Sequence, residues 1–352
     1  MTIPETPPSP PAATAPDLFD ITFLGGGPTG LFGAFYAGLR GMKTKIIDAL
    51  DQLGGQLSVL YPEKYILDVP GFPRVTARDL VDRLVVQMQA YHPTVCLRQT
   101  VQTLTRDETR DAWLLQTDQQ THLTRTLVLC AGAGAFSPKK LPLPEAAQFE
   151  ERGLYYHVPS KATFQGKRLL IVGGGDSALD WALNLQDTAA DITLIHRRNQ
   201  FRAHEDTVRQ VLASRTHVLT FHELAALEAD DGHLLRGAVL ENNQTHARTP
   251  LAVNAVLVQV GFMSSLGPLR NWPVKTQGSA IVVDSMMRTN LPGIFAAGDV
   301  ASYPGKLKLI VTGFGEVTLA ANAAKTLVDP AAKLFPGHST ELADNQPLTT
   351  VG

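Results

Sequence analysis

A glycine-rich turn occurs twice in this chain, and both copies keep the same register. The second copy lies 148 positions after the first, without a gap, and pairs Gly25 with Gly173, Gly27 with Gly175, and Gly30 with Ala178. Each copy follows a short apolar run and precedes a helical pattern. A repeat of this size is a duplicated mononucleotide-binding unit rather than a solenoid repeat. The sequence therefore predicts an α/β protein with two Rossmann-like, three-layer dinucleotide-binding domains.

The first loop, residues 25–30, is predicted to bind a pyrophosphate. Its first glycine permits a tight turn, the second lets the backbone approach the phosphates, and the third packs helix on strand. The loop follows a predicted strand at 19–24 and opens a predicted helix at 30–40, and Asp48 stands 23 residues after Gly25. Such a carboxylate accepts hydrogen bonds from ribose hydroxyls. A lone glycine motif also occurs in ordinary turns, but this context favours a dinucleotide site.

The second loop, residues 173–178, leads to a different strand end. Where the first copy has Asp48, the second has His196, followed by Arg197 and Arg198. A carboxylate would repel a 2′-phosphate, whereas a guanidinium group pairs with it in forked geometry. The pattern predicts NADPH rather than NADH, with a solvated basic strand end as the alternative. The predicted NADPH contacts are Gly173, Gly175, Asp176, Ser177, Ala178, His196, Arg197, Arg198 and Arg202.

A third element supports a flavin in the first loop. Residues 293–298 read as a buried strand that ends at Asp299, whose carboxylate can hydrogen-bond the ribityl chain and the pyrophosphate end of a flavin. A helix beginning near Gly315 and Glu316 would point its positive end at the pyrimidine edge of the flavin. Together these elements predict FAD. Residues 132–136 and 285–290 are the predicted hinges.

Composition narrows the class of protein. A length of 352 residues suggests two domains, and no apolar run reaches the roughly 20 residues that a membrane span requires. A net charge of −2 gives no field that favours nucleic acid. Residues 1–16 are a proline-rich tail, expected to be disordered and unlike a signal peptide, so a cytoplasmic location is expected. Cys96 and Cys130 lie 34 positions apart in apolar stretches, which indicates core packing rather than a metal site or a redox pair.

The order of these elements resembles the flavoproteins with two dinucleotide-binding domains, and residues 173–203 resemble thioredoxin reductase. That resemblance implies a second domain inserted in the first. The implied division is a tail at 1–16, an FAD-binding domain at 17–133 and 289–352 with a C-terminal extension at about 330–352, and an NADPH-binding domain at 134–288. The chain departs from thioredoxin reductase just before the second loop, where residues 156–161 contain no dithiol. A disulfide relay is therefore excluded.

Four further runs, at residues 54–57, 60–64, 70–73 and 335–340, are similar to those of thioredoxin-reductase-like ferredoxin/flavodoxin–NADP⁺ reductases. This similarity implies that Tyr61 lies against one face of the isoalloxazine and His338 against the other, as the catalytic residues. It also implies a homodimer. The FAD contacts implied by the loop and the resemblance are Gly25, Gly27, Thr29, Gly30, Asp48, Gln56, Tyr61, the backbone near Val101, Phe136, Asp299 and Thr340.

The resemblance implies that NADPH delivers a hydride to flavin N5 and that electrons leave singly to ferredoxin or flavodoxin, with no side-chain nucleophile. One alternative is an NADPH-dependent flavin disulfide reductase of a low-molecular-weight thiol, although such enzymes tend to place a cysteine in the first loop, where this chain has Pro28 and Thr29. Another is a non-catalytic flavoprotein redox sensor, against which both intact loops argue. Lys139, Lys140, Lys306 and Lys308 are candidates for an acceptor-binding patch, or are simply solvated lysines.

Overall fold

The computed structural model describes residues 16–132, 135–158, 160–230 and 234–338, with the side chains of 135–137 and 262–265 left out. Its first part contains three helices, α1 (Pro28–Leu39), α2 (Gln56–Leu60) and α3 (Ala77–Gln89). The strands of this part are β1 (Leu18–Leu24), β2 (Thr44–Ile47), β3 (Tyr65–Ile66), β4 (Val75–Thr76), β5 (Thr94–Cys96), β6 (Val101–Asp107), β7 (Ala112–Thr117) and β8 (Thr121–Leu129).

The middle part contains helices α4 (Ala146–Phe149), α5 (Asp176–Asn184) and α6 (Glu205–Leu212), and a 3₁₀ turn at Lys161–Phe164. Its strands are β9 (Ala135–Pro138), β10 (Leu154–Tyr155), β11 (Arg168–Val172), β12 (Asp191–His196), β13 (His217–Thr220), β14 (His222–Ala229), β15 (Leu235–Asn242), β16 (Arg248–Ala252), β17 (Ala255–Val258) and β18 (Phe262–Ser265). The last part contains β19 (Thr276–Gln277), β20 (Ala280–Val282), β21 (Ile294–Ala296), β22 (Ala301–Ser302), helix α7 (Ile310–Val328), and 3₁₀ turns at Gly267–Asn271 and Gly298–Val300.

Two sheets organise the molecule. The first unit is built on a seven-stranded sheet in the order β5-β2-β1-β8-β7-β6, with β21 also pairing with β8. The second unit is built on a five-stranded parallel sheet in the order β10-β17-β11-β12-β13, beside the antiparallel sheet β14-β15-β16. The central strands β1 and β11 are mostly apolar and largely buried, as is typical of parallel strands that are covered on both faces. The ends of both strands lead into the glycine loops.

The two units are joined by the antiparallel pair β9 and β18. The chain rejoins the first unit directly after β18, since Leu266, Leu269 and Trp272 pack in the first unit's core. The Trp272 indole also donates a hydrogen bond of 3.3 Å to the carbonyl of Gln102. We therefore propose that the inserted unit ends near residue 265, ahead of the boundary at 288 that the sequence suggested.

Two sequence expectations differ from the structure. Helix α7 begins at Ile310, not near Gly315, because packing against the core overrides the weak helix propensity of its β-branched first turn. The predicted hinge at 285–290 is a hydrogen-bonded turn, in which Asp284 Oδ1 accepts hydrogen bonds of 2.8 Å and 2.9 Å from the N–H groups of Met286 and Arg288. Because Met287 packs in the first unit's core, we propose that this segment lies within the first unit rather than between the two.

Candidate functional site

The first glycine loop leaves open space at the start of α1. Gly25 has a φ of +115°, and a β-carbon there would lie 2.3 Å from the carbonyl oxygen of Cys130. A β-carbon on Gly30 would lie 1.9 Å from the Gly25 oxygen. Gly27, which caps α1, differs, because a β-carbon there would meet nothing nearer than the Cα of Gly55 at 4.0 Å. The open space at a helix N-terminus fits an anionic pyrophosphate.

Asp48 holds this loop in place from the end of β2. Its Oδ2 accepts a hydrogen bond of 2.5 Å from the Gly26 N–H, and its Oδ1 accepts one of 2.8 Å from the Leu50 N–H. Burial raises the pKa of the Asp48 carboxyl, while the backbone hydrogen bonds oppose that rise. Asp48 therefore supports the loop itself, a role the sequence reading missed, in addition to its predicted contact with ribose.

Thr29 and Asp299 converge on the same region from distant segments. A β-carbon on Gly298 or Gly313 would lie 2.9 Å or 2.4 Å from the Thr29 hydroxyl, so α1 and α7 approach closely there. Asp299 follows Gly298 in its 3₁₀ turn. Burial raises the pKa of the Asp299 carboxyl, and the charges of Lys308 and Lys306 act against that rise.

The remaining predicted FAD contacts are distributed around this region. Gln56 begins α2, and its amide nitrogen would lie 3.5 Å from a β-carbon on Gly132. Val101 begins β6 and is buried. Phe136 lies in β9, but its side chain is outside the described part of the chain, as is Thr340.

Glu316 is a buried charge that the sequence reading did not assign to a site. Its Oε2 accepts a hydrogen bond of 2.7 Å from the Gly298 N–H, and its Oε1 accepts one of 2.6 Å from the Tyr303 hydroxyl and another from Lys306 Nζ. The Lys306 side chain is only 8% exposed, so the suggestion that it belongs to an acceptor-binding patch is wrong. Glu316 and Lys325 are the only charged residues of α7. A charge in the middle of an otherwise uncharged helix was the sequence signal that could have indicated a buried site at Glu316.

The second loop repeats the geometry of the first. Gly173 has a φ of +155°, and a β-carbon there would lie 2.4 Å from the carbonyl oxygen of Gln259. Gly175 caps α5, and a β-carbon there would meet nothing closer than the Arg202 oxygen at 3.6 Å. The Arg202 N–H donates a hydrogen bond of 2.7 Å to the Gly174 oxygen, which places residue 202 beside the loop. Ala178 is fully buried under the loop.

A basic cluster adjoins the second loop. Arg197, Arg198 and Arg202 are exposed, and within the described ranges no carboxylate pairs with them. The pKa of His196 is lowered first by burial and then by these three positive charges. Its ring is stacked on Phe201 at 5.3 Å. This arrangement presents guanidinium groups around a fixed, neutral imidazole.

Asp176 and Ser177 start α5 directly after the glycines. Asp176 Oδ1 accepts a hydrogen bond of 3.0 Å from the His204 N–H, so this carboxylate braces the turn that follows the arginines. Ser177 is half-buried and faces the first unit across a crevice. The crevice is lined by Leu60, Tyr61, Lys64, Tyr156, His157, Ser177, Trp181 and Gln259.

Tyr61 lies where the two units meet. It caps the C-terminus of α2 and packs against the cores of both units. Burial raises the pKa of its hydroxyl to about 12, and the charges of Asp299 and Asp68 add to the rise. The structure therefore brings together a neutral aromatic ring from the first unit and the helix start that carries the second glycine loop.

His338 lies elsewhere in the described chain. It is exposed, and its ring is 5.5 Å from that of Phe335. The segment before it is held by Arg40, whose guanidinium donates hydrogen bonds of 2.8 Å to the Lys333 oxygen and 3.2 Å to the Leu334 oxygen. Arg40 caps the C-terminus of α1, roughly 18 Å along that helix from the glycine loop. The structure does not place His338 next to Tyr61.

The cysteines take no part in this arrangement. Cys130 is buried behind the first loop, and burial raises the pKa of its thiol. Cys96 is half-buried at the end of β5. Within the described ranges, no group of histidine, cysteine and acidic side chains is arranged to hold a metal ion. None of the described helices combines the length and apolar character needed to cross a membrane.

A family model, curated relatives and solved structures all relate this chain to reductases that use a pyridine nucleotide. The family model for pyridine nucleotide-disulphide oxidoreductases matches residues 19–326. A ferredoxin–NADP reductase of Halalkalibacterium halodurans is 49% identical over 326 residues, covering 93% of this chain and 98% of that protein. The ferredoxin–NADP reductase of Thermus thermophilus is 49% identical over 334 residues, covering 94% and 98%. The crystal structure of Lactococcus lactis thioredoxin reductase superposes with a TM-score of 0.77 at 25% identity, covering 88% of this chain and 99% of that one.

Proposed function

The chain belongs to the pyridine nucleotide-disulphide oxidoreductase family, and on this basis we propose that it is an FAD-dependent ferredoxin–NADP⁺ reductase that transfers electrons between NADPH and ferredoxin or flavodoxin. Its thioredoxin-reductase-like α/β fold, predicted from the sequence, is confirmed. Family membership implies a flavin and NADP as cofactors. The specific choice of FAD rests on the open first loop and on Asp48.

One observation carries the proposal. Tyr61 of the first unit and Ser177 of the second line one crevice, and neither cysteine of the chain lies there. Electrons from a nucleotide bound at the second loop therefore have no cysteine thiol in the crevice through which to pass. A flavin held by the first unit would supply the chemistry needed here, namely acceptance of a hydride from a reduced nicotinamide and release of electrons one at a time. This arrangement and the ferredoxin–NADP reductase relatives together support direct transfer to a protein carrier rather than transfer through a thiol of this chain.

The first unit supplies the groups that would hold FAD. The open N-terminus of α1 at Gly27 would take the pyrophosphate, and Asp48 would accept hydrogen bonds from the ribose hydroxyls. Thr29, Gln56 and Asp299 would contact the middle of the cofactor. Tyr61 would cover one face of the ring system with a neutral aromatic surface that excludes water.

The second unit supplies the groups that would hold NADPH. The open N-terminus of α5 at Gly175 would take its pyrophosphate. Arg197, Arg198 and Arg202 would bind the 2′-phosphate, and their lack of carboxylate partners in the described ranges supports this role. His196 would present a neutral ring beside them.

A homodimer and a cytoplasmic location are further parts of the proposal. The homodimer is supported by the position of the tail, because Arg40 holds residues 333 and 334 at the end of α1 opposite the glycine loop. The described chain up to His338 is therefore held away from the first glycine loop of its own subunit, which supports a contact with a second subunit. We propose that His338 covers the flavin of that neighbour.

Anaerobic stopped-flow mixing of the flavin-loaded protein with NADPH tests the function. We expect rapid bleaching of the flavin absorbance, and then reduction of cytochrome c when ferredoxin or flavodoxin is added. Absence of bleaching would contradict any NADPH oxidoreductase function. Bleaching without carrier-dependent cytochrome c reduction would instead favour a disulfide reductase or a redox sensor.

A further inference from the structure

Residues 61–65 of the first unit form the contact with the second unit near the crevice. Lys64 Nζ lies 2.5 Å from Asp180 Oδ2, and the two side chains are only 20% and 24% exposed. Next to this ion pair, Glu63 Oε2 accepts a hydrogen bond of 3.1 Å from the Lys161 N–H. Partial burial reduces screening by salt, so such a pair holds more strongly than an exposed one.

The first-unit end of this contact is rigid. The Lys64 N–H donates a hydrogen bond of 3.0 Å to the Tyr61 oxygen, and the carbonyls of Lys64 and Pro62 accept hydrogen bonds of 2.9 Å from the N–H groups of Ala77 and Arg78. These last two residues begin α3, which packs in the first core. Lys64 therefore extends from a fixed backbone.

The second-unit end is equally rigid. Asp180 lies on α5, the helix whose N-terminus carries the second glycine loop. Ser177 and Trp181 of that helix line the crevice with Tyr61. Lys161 begins the 3₁₀ turn that buries Phe164 in the second core. The position of Asp180 therefore determines the position of the second glycine loop, because both belong to the same helix.

The direct connection between the units is weak by comparison. It consists of the two-stranded pair β9 and β18, and an isolated pair of strands is only marginally stable. The relative orientation of the units therefore depends on side-chain contacts between them. The pair of Lys64 and Asp180 is such a contact, with Lys64 Nζ 5.5 Å from the centre of the Tyr61 ring and Asp180 on the same helix as Ser177.

We propose that Lys64 and Asp180, aided by Glu63, set the orientation of the second unit and align its glycine loop with the crevice at Tyr61. The inference rests on the proposed function, because this alignment serves transfer of hydride from NADPH to the flavin. Lys64 acts as a positioning residue through α5. The proposal assigns a function to Glu63 and Lys64, the two charged residues of the run Tyr61-Pro62-Glu63-Lys64.

Single-turnover kinetics test this role. We expect Lys64→Met to slow bleaching of the flavin by NADPH on the order of tenfold while the Kd for NADPH changes less than about twofold, because the arginine cluster is untouched. Lys64→Arg should retain the rate. The charge swap Lys64→Asp with Asp180→Lys should recover most of it. The control Arg248→Gln removes an exposed ion pair with Glu241 inside the second unit and should behave as the wild type.

A rate for Lys64→Met that equals or exceeds the wild-type rate would overturn the inference, as would a charge swap as slow as the single variant. A second readout does not depend on activity. A water-soluble carbodiimide should join Lys64 to Asp180 in the flavin-loaded protein, giving a cross-linked peptide by mass spectrometry, and Lys64→Arg should give none. Absence of that peptide in the wild type would overturn the inference. Failure of NADPH to bleach wild-type flavin would contradict the proposed function instead, even with the cross-link present.

Discussion

The His196 ring lies so close to Gly174 that a β-carbon built on that glycine would fall 2.3 Å from its Nδ1. The ring is also stacked on Phe201, and its Nε2 is 3.1 Å from the carbonyl oxygen of Gln200. The imidazole is therefore enclosed and has little freedom to move aside. The middle glycine of the second loop thus fixes the residue that precedes the arginine cluster.

Gly174→Ala is expected to weaken NADPH binding about tenfold, because overpacking of this kind costs roughly 1–3 kcal/mol and would displace the ring from the cluster. Titration of the protein with NADPH, followed by fluorescence, measures the Kd. Gly315→Ala is the matched control, since a β-carbon on that helical residue meets no atom within 4 Å. An unchanged Kd for Gly174→Ala would show that the His196 ring can move at no cost.

The arginine cluster predicts coenzyme preference. Replacing both Arg197 and Arg198 by Gln should raise the KM for NADPH at least about tenfold and leave the KM for NADH nearly unchanged, because only NADPH carries a 2′-phosphate. Steady-state turnover with each coenzyme gives the ratio. Wild-type protein that prefers NADH would refute the assignment of these arginines.

The glycine loops could be predicted from the sequence because their geometry is local. Gly25 and Gly173 combine positive φ with close contact to a neighbouring backbone, and each lies between a short apolar strand and a helix. Such requirements leave a pattern over a few adjacent residues. The strand predicted at residues 19–24 is observed at Leu18–Leu24 for the same reason, since the glycines mark its end.

Contacts between distant residues could not be predicted in this way. Lys64 and Asp180 are far apart in sequence, and neither stands in a pattern that names its partner. Lys306 looked like a solvated lysine because its partner, Glu316, becomes its neighbour only when α7 packs on the 3₁₀ turn at Gly298–Val300. Tertiary packing decides such pairs, so a sequence without an alignment gives no signal for them.

A buried polar pair predicts how stability depends on pH. Lys45 Nζ lies 3.0 Å from His122 Nδ1, and Gln99 Oε1 lies 2.8 Å from His122 Nε2. Burial, and then the Lys45 charge, lowers the pKa of His122 from 6.5 to about 4. The unfolded chain therefore takes up a proton below about pH 6.5, whereas the folded chain does so only near pH 4. Stability is expected to fall as the pH drops through this window, by about 2–3 kcal/mol.

His122→Gln should remove this part of the pH dependence, since an amide can contact Lys45 but does not titrate. Urea unfolding of the flavin-loaded protein at pH 7 and pH 5 measures the difference in the free energy of unfolding. His217→Gln is the control, because the side chain of that histidine is 70% exposed and its pair with Asp191 spans 3.6 Å. Equal pH slopes for His122→Gln and the wild type would contradict the argument.

Glu316 predicts a large effect of a single substitution on stability. Glu316→Leu would leave the Lys306 ammonium buried without its ion-pair partner, and would remove the acceptor of Tyr303 and of the Gly298 N–H. Breaking a buried pair on one side costs roughly 3–5 kcal/mol, because the remaining charge stays out of water. We expect a loss of this size in the free energy of unfolding, and weaker retention of flavin because the turn before Asp299 loses its support.

The double variant Lys306→Met with Glu316→Leu distinguishes the unpaired charge from lost packing. It should be more stable than Glu316→Leu alone by about 2 kcal/mol or more, since no charge is left unpaired. Lys325→Met is the control on the same helix, because its ion pair with Asp329 is half-exposed and should contribute under about 1 kcal/mol. Urea unfolding and the flavin-to-protein absorbance ratio provide both measurements. If the double variant were no more stable than Glu316→Leu, the penalty would come from packing of α7, and the charge of Lys306 would have no part in it.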